Sequence, residues 1–107
     1  TLMADLDAGA TGTMPSALLP EHLGAVVRAY LEGDREGACS LYARILPLIN
    51  FENRQCGLRA CKAVMQAGGV IRSDYVRHPQ VALHPETRAQ LLELAGEQDL
   101  VAFNWGR

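Results

Sequence analysis

The sequence predicts a mostly helical chain, and three observations predict it. Apolar residues recur at i, i+3, i+4 and i+7 through much of its length, the period of a helix that buries one face. Proline followed by an acid opens two of these stretches, at Pro20-Glu21 and Pro85-Glu86, while glycine closes others, at Gly33 and at Gly68-Gly69. One short stretch, Ala10 to Met14, reads as a strand, and nothing else in the chain is a convincing ladder partner for it.

Taken in order, Leu2, Met3 and Leu6 have helical spacing, and Ala8-Gly9 closes them as a helix end does. They read as the last turns of a helix that began earlier. After the strand-like stretch and Pro15, Pro20-Glu21 opens a helix whose apolar face is Leu23, Val26, Val27, Tyr30 and Leu31. Gly33 stops it and Asp34 is an N-cap for the next, so Gly33-Asp34 is a tight turn between paired helices. The second helix runs from about Arg35 toward Phe51 with Ala38, Leu41, Tyr42, Ile45 and Ile49 as its stripe. Pro47 sits inside it, and a kink is expected there because proline removes a backbone bond.

Polar residues from Asn50 to Cys56 predict a break. A third helix, about Gly57 to Gln66, puts Leu58, Cys61, Val64 and Met65 on one face. Val70 to Leu83, with Pro79, is an extended strap. The last helix starts at Pro85, with Ala89, Leu91, Leu92, Leu94 and Ala95 inward, and the tail from Phe103 has no pattern.

Composition narrows the function classes. The chain has 107 residues, 49% of them hydrophobic, enough for one domain with a real core and far from a disordered composition. Net charge is -2 and Lys62 is the only lysine beside nine arginines; no basic run marks a nucleic-acid surface. No apolar run is long enough to span a bilayer. Thr1 to Asp5 lack the basic and apolar regions of a secretion signal, and the three unevenly spaced cysteines, Cys39, Cys56 and Cys61, read as reduced thiols. Together these point to a cytoplasmic protein.

Side chains that could carry chemistry are few. His22, His78 and His84 form no metal motif and read as surface residues, and Cys56 with Cys61 lacks the second pair that a zinc site needs. Ser16 and Ser73 lack the glycines that expose a nucleophile on a sharp turn. Lys62 could in principle form a Schiff base, but it falls on an amphipathic helix between Cys61 and the face carrying Arg59, where a solvated role is the plainer reading. No catalytic residue, metal or cofactor is therefore assigned to this chain.

As an ordered string these segments resemble a known family. Gly9-Ala10-Thr11-Gly12-Thr13-Met14 followed by Leu19-Pro20-Glu21 looks like the last barrel strand and the start of the following helix in the dihydrodipicolinate synthase / N-acetylneuraminate lyase family. Gly33-Asp34 with Gly37-Ala38, then Leu46-Pro47-Leu48-Ile49, resembles that family's next helix pair. Gly57 to Gly69, Arg77-His78-Pro79 in the strap and the helix from Pro85 have counterparts as well. The match covers about residues 1 to 98.

The resemblance implies a (β/α)8 barrel with a C-terminal helical region. Residues 1–32 would supply the end of helix seven, strand eight and helix eight, and residues 33–107 the appended helices. It also implies a Schiff-base-forming aldolase or lyase acting on pyruvate or another 2-oxo acid. The lysine and tyrosine of that chemistry belong to strands six and five, which have no counterpart in these residues, and Lys62 does not align with that lysine. Gly12, Thr13 and Met14 match the segment lining the 2-oxo acid pocket. Pro15-Ser16 departs from the Thr-Gly common at that point. The expected partners are the 2-oxo acid and further copies of the chain in a homo-oligomer. Without its neighbours, Thr11 to Met14 is expected to be loop-like or to pair between chains.

A second reading is a stand-alone helical module that uses the open side of Leu23 to Leu31 to bind a protein or itself. A third, a small metal or redox protein on the three cysteines, lacks a ligand set.

Overall fold

The helical stripes become six α-helices and one π-helical turn among residues 1–106, which the computed structural model describes. Helix α1 (Leu2–Asp7) buries Leu2 and Leu6. Helix α2 (Pro20–Leu31) begins on its proline, and α3 (Arg35–Phe51) begins on Asp34, whose side chain accepts the Gly37 N–H at 2.9 Å. That cap satisfies a donor that the first turn would otherwise leave without a partner. The two helices form the expected hairpin. Leu23, Val26 and Val27 are buried in the core that α3 shares through Ala38, Ile45 and Leu48. This corrects the expectation of an open docking face: α3 already covers it, and only Leu31 stays exposed.

Helix α3 continues through Pro47 to Phe51 and then widens into a π-turn (Glu52–Cys56). The break expected from Asn50 to Cys56 therefore lies one residue beyond it, at Gly57, where φ is +61°, a conformation that disfavours a Cβ. The polar residues stayed helical because Glu52 and Cys56 continue the buried line of Ile45 and Leu48. Helix α4 (Leu58–Ala67) starts afresh after Gly57. It buries Ala60, Ala63 and Val64, while Leu58 points outward and is 62% exposed. Small alanines let α5 and α6 approach closely, so the face expected from the larger residues is rotated.

Helix α5 (Pro85–Gly96) buries Leu91 and Ala95 as expected, with Leu92 and Leu94 half-buried, but Ala89 is exposed. The tail is not patternless: α6 (Val101–Asn104) docks on the end of α4, with Leu100 and Ala102 buried. A Cβ at Gly68 would collide with the backbone oxygens of Ala102 and Phe103, and Gly68 C=O accepts the Gly106 N–H at 2.9 Å. Glycine here ends a helix and also makes room for the tail.

No strand forms among the described residues. The segment 10–16 runs without regular structure, because no second extended segment offers it a ladder. Leu18 and Leu19, which precede α2 and belong to no stripe, are nevertheless buried to 0% and 1% and anchor this segment to the core. The strap from Val70 to Leu83 crosses α4 and is tied to it by Lys62 and Arg59, which donate to the carbonyls of Tyr75 and Val81 at 2.9 Å each.

Candidate functional site

The strand-like segment is held at its two ends. Before it, the Ala10 N–H donates to the Asp5 carbonyl at 3.0 Å, closing α1; after it, the Leu18 N–H donates to Ser16 Oγ at 3.2 Å. Between these anchors Gly12, Thr13 and Met14 are all exposed, and the Met14 side chain is 99% exposed. A Cβ at Gly12 would meet nothing within 4 Å. An apolar side chain so fully in water is an unusual feature, since burying a methionine is worth roughly 1.5–3 kcal/mol.

Beneath the end of this segment lies a cluster that sequence reasoning missed. The carboxyl of Glu52 is buried on the π-turn, with the Ser16 hydroxyl as its polar neighbour. Burial raises the Glu52 pKa, and the neighbouring Ser16 hydroxyl partly opposes that rise. Cys61 Sγ sits 3.4 Å from Met65 Sδ, and Ala17 neighbours it. Burial pushes both the Cys56 and Cys61 thiols up, and the nearby Glu52 charge adds to the effect. Neither thiol is poised as a nucleophile, because the thiolate is the reactive form. The cluster is suited to anchoring the turn after Met14. A signal for it did exist: Ile45, Leu48, Glu52 and Cys56 share one helical line.

Other candidates resolve simply. The Lys62 ammonium is taken by the Tyr75 carbonyl and pins the strap. His22 is half-buried and contacts the Asp99 carbonyl at 2.8 Å, bracing the tail, while His84 Nδ1 accepts the Glu86 N–H at 3.2 Å and caps α5. Among the described residues no three His, Cys, Asp or Glu side chains converge as a metal site would need, and no helix is long and apolar enough to cross a membrane. An apolar groove of about 470 Å³ adjoins the anchored turn, lined by Ala17, Pro20, Met65, Val70, Val101 and Trp105 among others.

Residues 1–98, which carry the segment, its anchor and every helix but the last, match the dihydrodipicolinate synthetase family. The chain belongs to that family. Within it, the chain is 47% identical over 105 residues to an L-2-keto-3-deoxyarabonate dehydratase from Azospirillum brasilense, a match covering 98% of this chain and 34% of that protein. It is 34% identical to a 4-hydroxy-tetrahydrodipicolinate synthase from Koribacter versatilis and 33% identical to one from Acidothermus cellulolyticus. Each of these covers 79% of this chain and 28% of the synthase. The chain thus spans about a third of the length of these members of the dihydrodipicolinate synthetase family.

Proposed function

We propose that this chain is the C-terminal portion of a Schiff-base-forming dehydratase that acts on a 2-oxo-3-deoxy sugar acid, and that it is not catalytic alone. The observation that carries this reading is the 47% identity to a dehydratase across nearly the whole chain, against 33–34% over shorter stretches for the synthases. In the whole enzyme, residues 1–32 end a (β/α)8 barrel and the helices from residue 33 form an appended C-terminal region. Residues 10–14 are then the eighth strand. Their free backbone groups gain ladder partners on both sides, and the exposed Met14 gains cover.

Gly12, Thr13 and Met14 line the pocket for the 2-oxo acid at the C-terminal end of that strand, where barrel enzymes build their sites. Ser16 and Glu52 hold the turn that follows. The lysine that condenses with the ketone and the tyrosine that relays protons come from other strands. Lys62 takes no part, consistent with its ammonium being bound to the strap.

Two measurements test this. Treating the chain with pyruvate and borohydride should leave its mass unchanged; an adduct on Lys62 overturns the assignment. Mixing the chain with the remaining two thirds of the Azospirillum brasilense dehydratase should restore dehydration of L-2-keto-3-deoxyarabonate. Met14→Asp should lower kcat/KM of the mixture by roughly tenfold or more, the cost of a charge against a closed apolar lining. Failure of the unaltered chain to restore any activity refutes the proposal.

A further inference from the structure

The strap between α4 and α5 closes a second cavity, of about 520 Å³, on a side of the molecule built by neither residues 10–19 nor α2. Its walls are α4 through Arg59 and Ala63, the strap from Ser73 to Leu83, and α5 through Arg88. Two guanidiniums reach it and one carboxylate, Asp74.

Arg59 is held entirely by neutral acceptors. Its Nε donates to the Cys56 carbonyl at 3.0 Å and its Nη1 to the Val81 carbonyl at 2.9 Å. Among the described residues no carboxylate pairs with it. These bonds fix the plane of the guanidinium without neutralising it and leave its remaining donors uncommitted. Arg88 gives Nη2 to Gln66 Oε1 at 2.8 Å and meets Asp74 only through a long 3.4 Å contact from Nε. Lys62 fixes the opposite wall through the Tyr75 carbonyl, and Ser73 Oγ accepts the Tyr75 N–H at 3.1 Å. The cavity thus has a braced strap on one side and, on the other, the preorganised Arg59 fork with no carboxylate partner, while Asp74 offsets Arg88. An anion entering it pays little to order its partners, the condition under which charge-assisted bonds count most.

We propose that this cavity binds a small tetrahedral oxyanion, phosphate or a phosphate monoester, with Arg59 as principal ligand and Arg88 as the second. The inference stands apart from the 2-oxo acid pocket and does not depend on it. Isothermal titration of the 107-residue chain at pH 7 in low-salt buffer, with inorganic phosphate and separately with methyl phosphate, tests it. One saturable site is expected for at least one of them, and the tighter of the two tells free anion from ester. Arg59→Gln and Arg88→Gln should each weaken binding by roughly tenfold, and Arg59→Lys by less, since it keeps the charge but loses the fork. Arg44→Gln, an exposed arginine on α3, should change it by less than twofold. Absence of saturation with both ligands overturns the proposal, as does equal weakening by Arg44→Gln. Circular dichroism monitors folding. Should Arg59→Gln lose helix, Arg88→Gln decides, and undiminished binding to it overturns the assignment.

Discussion

Asp7 accepts three hydrogen bonds, from Arg35 Nε at 2.9 Å, Arg35 Nη2 at 2.7 Å and the Tyr30 hydroxyl at 2.8 Å. The bidentate Arg35 fork, helped by Tyr30, holds the Asp7 carboxyl down at about pKa 2. A depressed carboxyl pKa stabilises the fold above the unfolded value, near 4, and the gain is lost as pH falls toward 2. We predict that the melting temperature falls between pH 4 and 2 more steeply in the unaltered chain than in Asp7→Asn. Parallel melting curves for the two proteins would sink this. The Asp34 cap could be read from a local motif, whereas the Asp7–Arg35 pair could not, because its partners lie 28 residues apart and meet only when α1 docks. Glu52 belongs with the second kind: its place on the helical line is visible in the sequence, but its nearness to Ser16, 36 residues earlier, is not.

At the scale of elements, start signals were more legible than faces. Pro20, Asp34 and Pro85 stand where they were expected, since a cap or an N1 proline acts within one turn. The face of α4 was misread because its packing uses alanine, which carries little weight in an apolar stripe but permits close approach. Helix α6 was missed because four residues give no period; docking on Gly68 and Gly69 stabilises it instead. Gly68→Ala should therefore destabilise the chain by about 1–3 kcal/mol, as an overpacked contact does, although alanine is the better helix former. Urea denaturation measures this, and a gain in stability would show that the tail does not hold the position claimed for it.

At the scale of the molecule, the helices form a slab of 41 × 30 × 20 Å with a radius of gyration of 14.6 Å. That is somewhat looser than the ~13 Å of a typical domain of this length. The slab leaves Met14, Val101 and Trp105 in solvent beside an unpaired backbone segment. We predict that these features drive self-association, and that Met14→Asp shifts the chain toward monomer. Light scattering that finds the unaltered chain monomeric at high concentration would refute this.

The sequence by itself determined the helical class, most helix starts and stops, and the family, because capping, glycine stops and apolar period act over a few residues and keep their order along the chain. The unpaired state of residues 11–14 already followed from the lack of a second extended segment, whereas the tertiary structure alone decided that the Leu23 face is covered and that Ser16 comes to lie near Glu52. It also decided that Arg59 and Arg88 face one cavity. These are contacts between segments distant in sequence, and the packing of whole helices, which no local pattern encodes, brings them together.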